Sequence, residues 1–536
     1  MTAAAEARGQ GRRIGRRGAA PPAWLVAAGL AVAALGIVPI AYLAILAGSS
    51  QDAADLVLRD RTIGVLLRTL ALAATVTAAS VLVGVPIAWL TTRSDLPARR
   101  AWTILSLLPL VVPSYVGGYA VVAAFGPRGA LQSLLEPLGV ARLPELYGFP
   151  GAALTLTLFS FPYVVLSVRG ALLRLDPAYE EVSRSLGRGP WRTFLTVTLP
   201  QLRPAITGGA LLVALYSLAD FGAVSLLQFD SFTRAIYVQY RASFDPTLAA
   251  VLALMLVACT AVLLLAEGRF RGRARYHRSG GGASRARRTV ELGGWRWPAL
   301  ALCAVVVGIA LGVPVVTIGF WLARGLSAGE LGPSVWIPAA NSVLASGLAA
   351  ILAVIASVPV AVLAVRHRGI IGSIVERATY AGFALPGIVI GLAFVFVAAR
   401  YLPVVYQTLP LLLIAYLVRF VPEAVGTTRA SLLQVSPRLE EVARTLGRAP
   451  GAVLREVTLP IIRPGLIAGG ALVFLTAMKE LPTTIMLAPT GFDTLAVRIW
   501  STTSEGFFAR AAPPALLMIL VAGASMWLLL RQEAET

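Results

Sequence analysis

Residues 176–204 read DPAYEEVSRSLGRGPWRTFLTVTLPQLRP, and residues 436–464 read SPRLEEVARTLGRAPGAVLREVTLPIIRP. The two stretches align without a gap at a shift of 260, and both contain a Glu-Glu pair, a Leu-Gly-Arg turn and Thr-Leu-Pro. Recurrence at a fixed spacing is the mark of a duplicated structural unit. The chain is therefore predicted to be one unit written twice.

Each copy predicts a capped helix followed by a second short helix. Asp176 and Ser436 each precede a proline, an arrangement that favours a helix start. A glycine then stops the helix, the next proline opens another, and Thr-Leu-Pro is expected to close it. A plain connector would explain the caps but not their recurrence, so we expect the loops to dock on a partner at two matched sites. The residues predicted to make this coupling are Glu180, Glu181, Gly187, Glu440, Glu441 and Gly447.

Outside these loops the sequence is too apolar for a soluble protein, with 57% hydrophobic residues, 13% charged residues and a mean hydropathy of +0.78. Helices of about 20 apolar residues are long enough to cross the roughly 30 Å hydrocarbon core of a bilayer. The fold class expected is thus an all-α polytopic membrane protein. Twelve spans are predicted, near residues 23–47, 64–90, 101–125, 149–174, 204–228, 247–266, 298–323, 342–365, 376–398, 408–428, 464–488 and 511–530.

The basic residues orient the chain in the membrane. With twelve spans, both termini lie on the same side as the repeated loops, and that side with its span ends carries 33 of the 46 basic residues, against 10 outside and three within spans. This bias predicts cytoplasmic N and C termini. The net charge of +20 is explained by orientation, so no nucleic-acid partner is expected. The first apolar run is too long for a signal peptide and is interpreted as a retained span.

A stretch with nine arginines and a Gly-Gly-Gly run, residues 267–296, separates the two halves. Earlier in each half the register is 273, as Pro113 and Pro386 illustrate, which places a 13-residue insertion near residues 126–150. Two six-span repeats of the same orientation predict a pseudo-two-fold axis along the membrane normal and a pathway between the halves. The predicted divisions are a cytoplasmic N terminus at 1–22, a first membrane domain at 23–266, a linker at 267–296 and a second membrane domain at 297–536.

Cysteine and histidine are too few and too scattered for a metal site. Cys259 and Cys303 lie in apolar runs, and His277 and His367 lie in Arg-rich loops. Neither a disulfide framework nor a metal centre is expected from this distribution. The cysteines are interpreted as packing residues.

Charges within spans are costly and mark either a pathway or a buried pair. Asp220 in span five and Glu480 in span eleven are equivalent at a shift of 260, and Lys479 flanks only the second. We expect the two acids to face each other across the interface of the halves and to line the pathway, with Lys479 as the partner of Glu480. Alternatively, Lys479 and Glu480 contact neighbours such as Arg68 or Arg419 and only fix helix packing.

The repeated Glu-Glu-Val-Ser/Ala-Arg-Ser/Thr-Leu-Gly with Thr-Leu-Pro resembles the Glu-Ala-Ala loop of binding-protein-dependent ABC importer permeases. The resemblance covers both halves and departs from the family mildly, at Val-Ser and Val-Ala. It implies the type I importer permease fold in a bacterial cytoplasmic membrane, with each loop a coupling helix that enters a cleft on an ATPase subunit. It also implies two ATPase subunits and an extracytoplasmic solute-binding protein as partners.

The chain is not expected to hydrolyse ATP by itself. A phosphate-binding Walker loop needs Gly-Lys followed by Ser or Thr, whereas the only lysine, Lys479, follows Met478 within an apolar run. No cofactor is expected in this chain, because ATP would be used by the partner subunit.

Two shorter motifs resemble fused permeases of ferric-iron importers. One is Lys-Glu-Leu-Pro at 479–482 with Gly-Phe-Asp-Thr-Leu at 491–495, and the other is Ala-Asp-Phe-Gly at 219–222 with Phe-Thr at 232–233. The resemblance makes ferric iron the expected cargo, while related fused permeases handle thiamine, phosphonates or other small solutes. A secondary transporter of the major facilitator kind, or a channel or scaffold, is the competing interpretation, and ATP dependence of uptake separates them.

Overall fold

The structure, a computed structural model, describes residues 21–49, 53–126, 129–138, 146–176, 178–242, 246–270, 289–330, 334–367, 369–383 and 385–535. These residues form helices and their connections, with one isolated β-bridge between Ser94 and Val290. The helices of the first half are α1 Ala23–Gly48, α2 Ala53–Leu58, α3 Asp60–Arg93, α4 Arg99–Leu107, α5 Ser114–Phe125, α6 Ala130–Leu135, α7 Phe149–Arg174, α8 Ala178–Ser185, α9 Pro190–Thr193, α10 Leu199–Ala219, α11 Gly222–Leu226, α12 Phe232–Ala242 and α13 Pro246–Phe270. Those of the second half are α14 Arg296–Val307, α15 Val313–Ala328, α16 Trp336–Arg366, α17 Ile370–Phe383, α18 Gly387–Tyr401, α19 Leu409–Gln434, α20 Pro437–Thr445, α21 Pro450–Val453, α22 Leu459–Met478, α23 Pro482–Leu487, α24 Leu495–Ser504 and α25 Phe508–Glu535.

The described residues contain nine helices long and apolar enough to cross a membrane, and two bent pairs that could each form one more span. The last predicted span, 511–530, lies within the 28-residue α25. The all-helical membrane architecture is thus confirmed, with nine to eleven candidate spans where twelve are predicted. The first 20 residues and linker residues 271–288 lie outside the described ranges, as do parts of the predicted insertion.

Spans three and nine are not the straight helices that the sequence predicts. The helical segment that ends at Val111 meets α5 at 94°, and α17 meets α18 at 100°. Pro113 follows Val112, whose backbone is extended at φ −81° and ψ 119°, and Pro386 has φ −58° and ψ 143°. Proline disfavours helical geometry in the residue before it, and this explains a break at the same place in both repeats.

The junction between each repeated loop and the next membrane span differs from the prediction. Thr-Leu-Pro does not close a helix, because a five-residue π-helix, Phe194–Thr198 or Leu454–Thr458, joins each short helix to the next span. Pro200 and Pro460 follow these segments directly, each as the second residue of the next α-helix. A π-turn shifts the hydrogen-bond register, so the helix passes the prolines without ending.

The core of each half is a three-helix packing of α3, α7 and α10 or their counterparts α16, α19 and α22. A Cβ added to Gly209 would lie 3.0 Å from Val164 Cα, and one added to Gly469 would lie 3.3 Å from Ala424 Cα. These are equivalent contacts at a shift of 260. Small residues let membrane helices approach closely, so the glycines fix the helix spacing of both repeats.

The first span of each half packs on the other half. α1 lies against α16 and α17, where a Cβ on Gly29 would come within 2.6 Å of Leu363 Cδ1. α15 lies against α5, and Trp321 Nε1 donates a hydrogen bond of 3.2 Å to the Ala123 carbonyl. The two halves are therefore interlocked, and neither completes its helix packing alone.

Candidate coupling loops and intramembrane acids

Both loop helices end at the predicted glycine. Gly187 has φ 77° and Gly447 has φ 82°, in the left-handed region that favours glycine. In the first loop the Gly187 N–H donates to the Arg184 carbonyl at 2.9 Å and the Arg188 N–H to the Ser183 carbonyl at 3.2 Å. The same two bonds recur in the second loop, which defines a Schellman cap in each repeat and confirms the predicted stop.

The paired glutamates do not share one environment. Thr198 Oγ1 donates to Glu180 Oε1 at 2.9 Å, and Thr458 Oγ1 donates to Glu440 Oε1 at 3.1 Å. These threonines belong to Thr-Leu-Pro, so the first glutamate of each pair ties its loop to the helix that leads into the membrane. The second glutamate of each pair, Glu181 or Glu441, is exposed.

An arginine at the end of α16 holds the second loop, and the sequence interpretation missed it. Arg366 Nε donates to both Glu440 carboxylate oxygens, at 3.0 and 3.1 Å, and its Nη2 donates to the Val435 carbonyl at 3.0 Å. Glu440 is 8% exposed. Arg93, the equivalent of Arg366 at a shift of 273, is also buried at the end of α3. That recurrence was the signal available in the sequence.

Each loop helix presents an apolar face that nothing in the described residues covers. Three large apolar side chains in each repeat are at least half exposed, at positions equivalent by a shift of 260: Tyr179, Val182 and Leu186, and Leu439, Val442 and Leu446. Their spacing of three and four residues places each set on one side of its helix. Apolar faces of this kind at polar loops mark contact surfaces for other proteins.

Asp220 lies where the predicted fifth span breaks. α10 ends at Ala219, and Asp220 Oδ1 accepts hydrogen bonds from the Ala223 and Val224 N–H groups at 3.1 and 3.2 Å. The acid therefore caps the N-terminus of α11, where negative charge is stabilised. Among the described residues no cation lies within ion-pair distance of it.

Glu480 occupies the matching break between α22 and α23. Its Oε1 accepts from the Thr483 N–H at 3.1 Å and from Thr483 Oγ1 at 2.6 Å, and its Oε2 lies 3.0 Å from Arg419 Nε. A Cβ on Gly387, the first residue of α18, would lie 2.4 Å from Oε1. The carboxylate thus caps the N-terminus of α23, as Asp220 caps that of α11. It also lies beside the first residue of α18 and has an arginine partner.

The expected pairing of Lys479 with Glu480 is wrong. Lys479 Nζ donates to the Leu110 carbonyl at 3.1 Å, across the interface of the halves. Lys479 also interacts electrostatically with Glu423. Glu423 is a further acid in span ten that the sequence interpretation overlooked, although it is a charge within a span like Asp220 and Glu480. Thr476 Oγ1 donates to Glu423 Oε2 at 2.9 Å.

Arg68 belongs to a different cluster. Its Nη1 lies 3.9 Å from Asp230 Oδ2, and Asp230 also pairs with Arg234. Both side chains of the longer pair are about half exposed. Arg419, not Arg68, is therefore the partner of the intramembrane acid.

The two breaks meet near the interface of the halves. A Cβ on Gly222, two residues after Asp220, would lie 3.3 Å from Leu481 Cδ2, one residue after Glu480. This contact supports the predicted proximity of the two segments, but the acids' oxygens are already occupied by helix N-termini, hydroxyls or Arg419. The described residues contain no group of three His, Cys, Asp or Glu side chains arranged to hold a metal ion. The arrangement favours the helix-packing alternative in this conformation.

The charged network exists in one repeat only. Moving Arg419 and Glu423 back by 260 gives Phe159 and Tyr163. Where Thr476 bonds Glu423 in the second half, Tyr163 and Tyr216 make a ring contact of 5.7 Å in the first. The chain has thus kept the acid at the break in both halves and surrounded it with different chemistry.

Two repeats with matched loops, broken spans and helix-capping acids define a duplicated membrane component of a transporter. The family model described as "Binding-protein-dependent transport system inner membrane component" matches residues 80–276 and 349–533. The chain therefore belongs to that family, and it is an inner-membrane permease component.

Named relatives place it more narrowly. The chain is 35% identical over 518 residues, 95% of its length and 98% of the relative's, to the Fe(3+)-transport system permease protein FbpB 2 of Haemophilus influenzae. It is 26% identical to the putative ferric transport system permease protein FbpB 1 of the same organism, over 84% of this chain and 74% of the relative. A molybdenum transport system permease protein, ModB of Mycobacterium tuberculosis, is 36% identical over 38% of this chain and 77% of the relative.

Proposed function

We propose that this chain forms the whole membrane pathway of an ATP-driven importer for ferric iron, with twelve spans and cytoplasmic termini. Two separate ATPase subunits would bind the two coupling loops, and an external binding protein would deliver the iron. The observation that carries the proposal is the pair of apolar loop faces at equivalent positions, since two copies of one partner fit two copies of one surface.

The loops are suited to transmit a partner's movement into the membrane. Each loop helix is fastened to the following span by its glutamate and threonine, and the span continues through a π-helix without a flexible joint. A rigid-body movement of the loop would therefore be passed to α10 or α22, which end at Ala219 and Met478, one and two residues before the two acids. Closure of the ATPase subunits would in this way reach the two breaks.

Ferric iron is favoured because the relative matched over nearly the whole of both chains carries that name, whereas the molybdenum permease matches little more than a third of this chain. Carboxylate oxygens are hard ligands, and Asp220 and Glu480 stand at the interface of the halves. They would meet the ion transiently in another conformation. Selectivity would then lie mainly in the external binding protein.

The test is uptake by vesicles that contain this chain with its ATPase and binding protein. Radioactive ferric ion loaded on the binding protein is expected to enter only with ATP, and molybdate and thiamine are expected to be excluded. ATP-independent uptake would contradict the importer, and ATP-driven entry of molybdate alone would contradict the iron assignment.

A double variant tests the docking surface. Val182→Asp combined with Val442→Asp places charge on two exposed positions and should leave the membrane domain folded, while the ATPase no longer co-purifies. Val238→Asp makes the same substitution at an exposed site of α12. It is the control and should retain the ATPase. Retention by the double variant would contradict docking at these faces.

The orientation has its own test. Residue 282, a glycine within the Arg-rich linker, is placed in the cytoplasm by the positive-inside bias. Gly282→Cys should therefore resist a membrane-impermeant thiol reagent in intact cells and react after the cells are opened. Labelling in intact cells would overturn the topology.

A further inference from the structure

A cavity of about 670 Å³ opens where the start of α17 meets the ends of α16 and α19, and this volume is within the usual range of ligand sites. Its lining joins aliphatic side chains to polar and basic ones, including Ile370, Ser373, Ile374, Arg377, Arg429 and Leu433. α19 continues directly into α20, so the cavity lies on the coupling-loop side of the membrane domain.

The basic end of the cavity suits an anion. Arg429 Nε lies 3.2 Å from Glu376 Oε1, so one carboxylate offsets one of the two arginines. Arg377 forms no ion pair in the described part of the chain and leaves a net positive charge. The first N–H groups of α17, at Ile370 and the residues after it, have no partner within the helix and add positive potential.

The apolar end suits lipid rather than water. Ile370 is 79% exposed and Ile374 is 55% exposed, and with Arg377 they follow the spacing of one helix face. A cationic rim above an aliphatic wall, at the level where helices leave the membrane, has the chemistry of a phospholipid site. We propose that this cavity binds an anionic phospholipid, its phosphate at Arg377 and Arg429 and its acyl chains along Ile370 and Ile374.

The protein's own N terminus is the other candidate for this position, since α1 packs on α17. Residues 1–20 hold five arginines and a single acid, Glu6, which is the wrong charge for a basic cavity. In the first half the counterpart of Arg377 at a shift of 273 is Ile104, although Arg169 matches Arg429 at 260. One such site per chain is therefore expected, in the second half.

Native mass spectrometry of the full chain in detergent tests the proposal, with added phosphatidylglycerol or phosphatidylcholine of identical acyl chains. We expect the wild type to bind phosphatidylglycerol more tightly. Arg377→Gln should weaken that binding about five-fold and leave phosphatidylcholine unchanged, because one basic residue at a membrane surface contributes about that factor. Arg377→Lys should retain the preference, and Arg169→Gln is the matched control that should not alter it.

Four results would overturn the proposal. Equal affinity for the two lipids would remove the charge recognition, and an equal loss in Arg169→Gln would remove the site. Competition by free glycerol 3-phosphate at the concentration of the lipid would assign the cavity to a soluble anion. A variant lacking residues 2–20 should bind as the wild type does, and binding seen only in that variant would assign the cavity to the N-terminal segment.

Discussion

Arg366 and Glu440 determine how firmly α20 is held to the membrane domain, and Arg366→Met should loosen it. The side chains are 13% and 11% exposed, and the guanidinium donates to both carboxylate oxygens and to the Val435 carbonyl. After the substitution Glu440 keeps only Thr458 as a side-chain donor. Breaking a buried pair by removing one partner costs about 3 to 5 kcal/mol, and the residual exposure places this one near 3 kcal/mol.

Hydrogen–deuterium exchange measures the effect where it occurs. If the free energy of local opening of α20 falls by about 3 kcal/mol, its amides exchange about a hundred times faster. The amides of α8 in the other repeat should be unchanged. ATP-driven uptake should fall as well, because a loosened loop transmits less of the partner's movement.

Two controls separate the pair from a general loss of charge. Arg463→Met removes an exposed arginine of the same half and should leave exchange in α20 as it is. Arg366→Met with Glu440→Gln leaves no buried charge without a partner, so the double variant should recover most of the protection. Unchanged exchange in Arg366→Met, or equal acceleration in α8 and α20, would refute the role given to this pair.

Three further results are expected. Gly447→Pro should abolish uptake while the chain still inserts, because proline cannot adopt the φ of 82° that ends α20, and full uptake would contradict coupling through this loop. Asp220→Asn with Glu480→Gln should slow ATP-driven uptake and leave affinity for the binding protein unchanged, and a wild-type rate would leave these acids with helix packing alone. Arg419→Met should lower the free energy of unfolding by about 3 kcal/mol, because it leaves Glu480 without its ion-pair partner. Lys479→Met should lower it less, since Lys479 donates to a backbone carbonyl. The reverse order of the two variants in thermal unfolding would contradict the assigned partners.

Local patterns in the sequence were enough for the membrane class, the duplication and the loop caps. Each apolar run and each of the glycines at 187 and 447 reports a property of a few neighbouring residues. The recurrence at 260 needs only the comparison of two such stretches. The same patterns were misleading at helix breaks within a span, because such a break hardly changes the amino-acid composition. The residues around Pro113 and Asp220 are as apolar as a continuous span, so hydropathy alone passed over both breaks.

The recurrence of residues along the chain was enough to show a two-repeat permease with two equivalent loops. The packing of the helices was needed to show which of two adjacent glutamates faces the protein, that Arg366 holds Glu440, and that Arg419 rather than Lys479 pairs with Glu480. The physical reason is that an ion pair depends on where side chains from different helices end. Residues 366 and 440 are 74 positions apart, and only the packing of α16 beside α19 and α20 brings their charged atoms within 3.0 Å.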